Sequence, residues 1–335
     1  MTTLVYPVIA DPAGVGTYAR RIINGLRKQD YAFNEYPVVK KEYSFLGRPV
    51  GGIISQILEA PKNYGQDRPV HALSPELSGK RVDIVTIHDV IPLQYPDIYQ
   101  TTFYSRYAWN TTFSRATAAS VLLSSSFYGK EKILEFLKVE EDRVKVLYHS
   151  VEHEVFYPDE RNPYPDDGKI HLLTVGDYNP RKKYDVIYKA VSGNEDMELF
   201  HIGPANAWSD RQEYLKKLAS KSKNIKILGK VDNNTLRQYY SNADLMIYLS
   251  IDEGFGLPPL ESIACGTKVL VSDIPIFREL LEGAAFFTSD ADITESIRKA
   301  LNEKKDRNEL VEYSRKYTLE REIKGLIGIY NSFSK

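Results

Sequence analysis

Apolar residues along this chain fall into two spacings. Short, mostly apolar runs at 4–10, 31–39, 82–87, 120–123 and 144–148 predict strands. Between them lie stretches with helical periodicity: Val15, Ile22, Ile23 and Leu26 share one face, and similar patterns cover about 98–116 and 127–137. The alternation repeats more cleanly downstream, with strands predicted at 170–175, 197–202, 225–228, 244–249, 268–271 and 285–287, and a helical pattern from about 292 to the end. Residues 157–168 interrupt it with Pro158, Pro163, Pro165 and Gly168 among acidic residues, and read as a linker. Strands that do not alternate to polar residues are buried on both faces, and helices between them with few hairpin signals imply parallel, doubly wound sheets.

Length agrees with that division. A chain of 335 residues exceeds most single cores and suggests two domains. The expected architecture is α/β, two Rossmann-like domains facing across a cleft, because ligands of such sheets bind beyond the carboxyl ends of the strands. Hydrophobic residues make up 42% and charged residues 27%, the balance of a water-soluble globular chain. A net charge of −1 argues against a dedicated nucleic-acid binder. One cysteine, Cys265, excludes an internal disulfide and fits a reducing compartment. The first residues lack the basic and apolar regions of a signal peptide, and no run approaches the roughly 20 apolar residues of a membrane span. The expected location is cytoplasmic, with peripheral contact at the inner membrane face as the one membrane role to consider. Residues 40–62, basic and aromatic with a short helical pattern at 53–58, are where a membrane surface or an acceptor would be met. The wider segment 31–68 holds five basic residues against four acidic, which favours an ordinary solvated insertion.

The stretch 244–266 carries the most chemistry. An apolar strand ends in a turn containing Gly254 and Gly256, and Pro258 and Pro259 belong at the first positions of a helix, where a missing N–H costs nothing. The free amides of that helix start attract phosphate, while Glu253 and Glu261 on either side attract hydroxyls. Together they suggest a ligand with both groups, such as a nucleotide sugar. Taken singly, a first-turn glutamate or a Gly-Pro turn is common punctuation. Arg181-Lys182-Lys183 follows the strand at 170–175 and the turn Gly176-Asp-Tyr-Asn-Pro180, a position that makes a pyrophosphate clamp of what would elsewhere be a solvated basic turn. His88 ends another strand, in the first half, and reads as a ligand contact.

Three other motifs compete. Gly14-Val-Gly16-Thr-Tyr-Ala19 matches the dinucleotide fingerprint G-x-G-x-x-A, with Glu35 near the position of the ribose acid, so an NAD-dependent dehydrogenase is a rival. Against it, Asp11-Pro12-Ala13 lengthens the loop and Glu35 lies inside its strand. His149-Ser-Val-Glu152-His153 spells H-x-x-E-H, but a zinc site would need it on a helix, and here it follows a strand. Asp290-Ala-Asp292 resembles a metal-holding D-x-D, yet Asp292 with Glu295 forms a capping box for the next helix, and capping is the better reading.

With these residues assembled, the chain resembles the retaining GT-B glycosyltransferases of family four, the group 1 glycosyl transferases, many of them mannosyl- and glucosyltransferases. Glu253-Gly-Phe-Gly-Leu-Pro-Pro-Leu-Glu261 is similar to that family's paired-glutamate signature. The stretch 175–183 resembles its G-x-x-x-P-R-K-N phosphate motif, with Lys183 where asparagine is common. His88-Asp89-Val-Ile-Pro92-Leu-Gln-Tyr-Pro96 resembles the H-D-x-x-P-x-x-x-P of one branch, and Gly14 to Tyr18 the G-I-G-R-Y loop.

The resemblance implies a role for each matching residue. Arg181 and Lys182, after Gly176, would hold the donor pyrophosphate. Glu253 and the turn Gly254, Phe255, Gly256 and Leu257 would contact the transferred sugar and its phosphate, and Glu261 the ribose. His88 would contact the sugar, Gly14 and Gly16 would bring backbone to the pyrophosphate, and Lys230 and Val231 would cradle the base. The domains implied are 1–157 for the acceptor, a linker at 158–168, 169–315 for the donor, and 316–335 crossing back to the first. The implied reaction moves a hexose, of mannose or glucose type, from a nucleoside diphosphate sugar to a hydroxyl of a glycan, lipid-linked saccharide or glycoconjugate. It proceeds with retention and without a cofactor or bound metal. GDP- and UDP-hexoses are the donors to test, with a lean to GDP-mannose. A GT-B-like sugar-nucleotide epimerase and a non-catalytic sugar-nucleotide binder remain alternatives. Where the family has N-G-V-D this chain has His149-Ser150-Val151-Glu152, and Leu319 stands where tryptophan is common. Neither departure touches the chemistry so far assigned.

Overall fold

Strands that are apolar on both sides must be covered on both sides, and the chain does this twice. The computed structural model describes residues 1–8, 14–39, 44–45, 48–49, 64, 67–79, 81–204, 208–289 and 291–333. Two compact units emerge: Met1–His149 together with Leu319–Lys335, and Ser150–Thr318. Most of 40–62, including the helical pattern at 53–58, lies outside the described residues, as do Asp11, Pro12, Ala13 and Asp290.

In the first unit the strands are β1 (Thr2–Val8), β2 (Phe33–Val39), the short antiparallel pair β3 (Ser44–Phe45) and β4 (Arg48–Pro49), then β5 (Val70–Ala72), β6 (Ile84–Ile87), β7 (Val121–Ser124) and β8 (Val144–Val146). Six of them form a parallel sheet in the order β2-β1-β5-β6-β7-β8. Successive residues of one strand serve opposite faces, as a two-residue period requires. Val5, Val85 and Leu122 pack with Phe113 and Ile133 on one side. Leu4, Ile84 and Leu123 pack on the other with Ile22 and Leu26 of the Val15–Lys28 helix and Ile323, Leu326 and Tyr330 of the Leu319–Ser332 helix. The last helix therefore belongs to the first unit. Strand β5 was not visible in the apolar pattern, since three residues, one of them His71, are too few to show a period.

The second unit repeats the plan with β9 (Ile170–Val175), β10 (Met197–Ile202), β11 (Ile225–Gly229), β12 (Leu245–Tyr248), β13 (Val269–Ser272) and β14 (Phe286–Thr288). The parallel order is β11-β10-β9-β12-β13-β14. The chain winds outward from β9 in one direction, returns, and winds outward from β12 in the other. β9 and β12 are thus neighbours, with Leu172 beside Leu245, and their carboxyl ends flank the switch point. Leu172, Leu199, Ile247 and Leu270 form the sheet's contribution to a core completed by Ile187, Val191, Leu215 and Ile297 from helices. The H-x-x-E-H stretch is not helical: Val151 bridges Thr318 in parallel and His153 bonds Ser314 at 3.0 Å. Asp292 caps its helix by accepting from the Glu295 amide at 2.9 Å. Among the described residues no helix is long and apolar enough to cross a membrane.

The two helices that cover one face of the first sheet meet at Gly25. A Cβ there would lie 2.5 Å from Cγ1 of the buried Ile323 and 3.2 Å from Leu319. Gly25→Leu gains about 1 kcal/mol of helix propensity but overpacks this contact, at a cost of about 1–3 kcal/mol. The net expectation is a lower denaturant midpoint for the first unit, and an unchanged or higher midpoint would show that the helices can separate freely.

Candidate functional site

The switch point brings the two sequence motifs of the second unit together. After β9 the chain turns at Gly176, whose φ of 141° suits glycine, and runs through Asp177 to Lys183 before the Tyr184–Ser192 helix. After β12 it runs through Leu249 to Gly256 before the Leu257–Ala264 helix. These two loops are laced by backbone hydrogen bonds: the Ile251 amide donates to Arg181 O at 3.0 Å and the Lys183 amide to Leu249 O at 3.3 Å, around an antiparallel bridge of Lys182 with Ser250. Their side chains are therefore held by the sheet and not by loop flexibility.

Charge is matched within this cluster. Arg181 forms an ion pair with Glu253, both largely shielded from water, and donates to Asp252 O at 2.8 Å and to Ser250 Oγ at 3.2 Å. The Tyr248 hydroxyl donates to the same glutamate at 3.0 Å. Lys182 is 6% exposed, with its ammonium 3.5 Å from Asp177 and 5.2 Å from the centre of the Tyr248 ring. Burial pushes its proton affinity down, and Asp177 and Glu253 partly restore it. Asp177, Tyr248, Ser250 and Asp252 were not singled out from sequence, although Asp177 sits inside the basic motif and the other three beside the glutamate one.

Gly256 adopts φ 97° and opens the helix; a Cβ there would meet the Phe277 ring at 2.7 Å. Pro258 and Pro259 carry no N–H, so the first-turn donors of this helix come from Gly256 and Leu257. Phe255, beyond Gly254, is buried against Tyr317 with ring centres 5.9 Å apart. Glu261 lies one turn into the helix, where the Tyr240 hydroxyl donates to it at 3.1 Å. Lys230 and Val231 follow β11, two strands from β9, just before Asp232 caps the Asn233–Asn242 helix.

Behind the cluster, the ends of β9 and β10 approach closely. A Cβ on Gly203 would lie 1.9 Å from Gly176 O, which leaves room only for glycine. His201 Nε2–H donates to Gly176 O at 3.0 Å and its Nδ1 accepts from the Tyr188 hydroxyl at 2.6 Å, a complete pairing for an uncharged ring. Burial holds that ring's pKa down at about 4. At the opposite, amino ends of β9 and β10, Asp167, His171 and Glu198 lie within metal-ligand reach of one another. They are already paired, His171 with Asp167 at 3.2 Å and Glu198 with Lys226 at 3.5 Å.

The first unit has its own polar centre. His88 follows β6, with Nε2 3.0 Å from Leu73 O and Nδ1 3.3 Å from Nε2 of His149. His149 in turn sets Nδ1 3.1 Å from Glu322, on the last helix, and Arg21 stands 3.4 Å from the other oxygen of that carboxylate. Tyr18 lies edge-on to His88 and against His149, with its hydroxyl 3.3 Å from Thr86. Sequence reasoning set His149 aside and gave no role to Glu322. A pairing across 173 positions leaves no local pattern to read. Gly14, with φ 55°, precedes the Val15–Lys28 helix and accepts from the Tyr18 amide at 2.9 Å, while Gly16 is buried in its first turn. Glu35 stays within β2, bound by Arg27 and, at 2.7 Å, by the Tyr6 hydroxyl, so it is not offered to a ribose at a strand end.

Residues 158–317 match the family of glycosyl transferases group 1. The O-antigen chain mannosyltransferase RfbU of Salmonella typhimurium is 30% identical over 214 residues, 63% of this chain and 58% of its own length. The match thus spans little more than half of that relative. Sucrose-phosphate synthase of Thermosynechococcus elongatus superposes with a TM-score of 0.79 at 15% identity, over 99% of both chains. Anabaena HepE, solved with UDP and glucose, superposes with a TM-score of 0.73 at 15% identity, over 99% of this chain and 100% of its own. The fold is GT-B.

The His201 pairing sets a pH dependence. Its folded pKa of about 4 lies below the 6.5 of a solvated imidazole, so the ring stabilises the fold while uncharged. That contribution is complete above about pH 6.5 and is lost as the pH falls toward 4, on the order of 3 kcal/mol in all. The urea midpoint of the second unit should fall over this range. His201→Gln should flatten the fall, and an identical slope in the variant would assign the acid sensitivity elsewhere.

Proposed function

Through residues 158–317 the chain belongs to the group 1 glycosyl transferases, and we propose that it moves a hexose from a nucleoside diphosphate sugar to a hydroxyl acceptor. The observation that carries this reading is the laced pair of loops at the switch point, which fixes Arg181, Lys182 and Glu253 beside a helix start. Two cations and the Gly256 and Leu257 amides suit a diphosphate, and Glu253 and Glu261 suit hydroxyls. HepE, with UDP and glucose, supports a nucleotide sugar as donor, and RfbU, an O-antigen chain mannosyltransferase, supports mannose as the sugar and a saccharide acceptor.

In this reading the bond from the anomeric carbon to the phosphate oxygen breaks as the acceptor oxygen bonds to the same face. The acceptor's proton passes to the departing phosphate oxygen. Arg181 and Lys182 offset the charge that grows on the diphosphate, the role a metal ion would otherwise fill. Glu253 is read as a hydroxyl ligand: Arg181 and Tyr248 hold its carboxylate in place, and the lone pairs they leave can accept from a sugar hydroxyl. His88 would meet the sugar, Gly14 and Gly16 the pyrophosphate, and Lys230 and Val231 the base. Glu35, held inside β2, counts against the dehydrogenase alternative.

A melting panel of UDP-, GDP- and ADP-hexoses beside NAD should show stabilisation by one nucleotide sugar, with transfer unaffected by a chelator. Stabilisation by NAD alone would overturn the reading, as would consumption of the sugar nucleotide to an epimer with no acceptor present. NMR of the product should show retained anomeric configuration. Arg181→Ala should lower turnover 100- to 1,000-fold, a loss of about 3–4 kcal/mol, in protein shown by circular dichroism to be folded. Near-native turnover in that variant would remove Arg181 from the site.

A further inference from the structure

The first unit holds a buried chain of groups that the reaction above does not use: His149, Glu322 and Arg21 behind His88. The direction of each hydrogen bond can be assigned from what the partners are able to do. Leu73 O is a carbonyl and can only accept, so Nε2 of His88 carries the hydrogen. An uncharged His88 then has a bare Nδ1, and the group facing it, Nε2 of His149, must donate. The other nitrogen of His149 faces a carboxylate and shares a proton with it, as an imidazolium–carboxylate couple or its neutral equivalent. Burial works against that proton, the Glu322 carboxylate works for it, and Arg21 faces the couple from the Val15–Lys28 helix.

We propose that His149, held by Glu322 on the last helix, is the positioning residue for His88: it donates to Nδ1 and fixes the ring as the Nε2–H tautomer. With Nδ1 satisfied from behind, Nε2–H is the polar group of the ring for which a ligand oxygen can compete with Leu73. His88 therefore meets its ligand as a hydrogen-bond donor. Tyr18 closes the remaining side, its ring centre 4.8 Å from that of His88 and 4.7 Å from that of His149. The proposal rests on the reading of His88 as a contact to the donor sugar.

Two substitutions separate positioning from packing. His149→Gln keeps an N–H that reaches Nδ1 of His88, whereas His149→Phe keeps the ring against Tyr18 but has nothing to donate. With UDP-glucose or GDP-mannose, whichever the wild-type chain turns over, His149→Gln should stay within about threefold of wild type. His149→Phe should lose at least about tenfold in kcat/KM, the usual effect of removing a group that orients another. Equal activity in the two variants, or the better activity in His149→Phe, would reduce His149 to packing and overturn the proposal. Long-range 1H–15N spectra of the wild-type side chains give a second measure that needs no variant and no turnover. They should show His88 with its hydrogen on Nε2, and a hydrogen on Nδ1 would overturn the proposal even if both variants fail to fold. A wild-type chain that neither binds nor consumes either nucleotide sugar would instead overturn the donor-sugar reading, with the tautomer result still deciding what His149 does to His88.

Discussion

A guanidinium and a carboxylate that leave water together have to face each other, because either one alone in the interior costs several kcal/mol. In the second unit that requirement joins the ends of two strands. Arg181 comes from the loop after β9 and Glu253 from the loop after β12, and their ion pair is shielded inside the lacing of those loops. The pairing is available only because the sheet order places β9 next to β12. Glycine at 176, 203 and 256 then follows from the same crowding: each stands where a methyl group would strike a neighbouring atom at under 3 Å.

The first unit obeys the same rule with a histidine added to the pair. Arg21, His149 and Glu322 are each nearly inaccessible, and each finds its counterpart on a different element. A second buried chain runs alongside, from Tyr330 through His71 to Thr86, with bonds of 2.7 and 2.8 Å. Both chains end on the last helix, which is thus fixed by polar contacts as well as by Ile323 and Leu326. Burial pushes the His71 pKa down to about 3, so that ring too is held uncharged between hydroxyls that can serve either of its nitrogens.

What the sequence revealed follows from how far each signal reaches along the chain. Strands of the second unit were legible within a residue or two because their apolar runs are bounded by polar turns. β5 was not, since Val70, His71 and Ala72 depend on β1 and β6 for their conformation. The loops carrying Arg181, Lys182 and Glu253 could be recognised because their residues are contiguous. Pairing between the loops could not, as Arg181 and Glu253 lie 72 positions apart and only the strand order makes them neighbours. His149 was read as a harmless departure for the same reason: Glu322, which gives it a purpose, is beyond any local window.

The position of the last helix also bears on the order in which the chain can fold as it is made. Residues 150–318 form a continuous unit, whereas the first unit needs both 1–149 and 319–335. A ribosome therefore releases all of the second unit before the first has the helix that covers Leu4, Ile84 and Leu123. During that interval the face has only the Val15–Lys28 helix over it, and the apolar surface left exposed beside that helix makes it the stage at which a nascent chain would engage a chaperone. The domain that begins first is completed last.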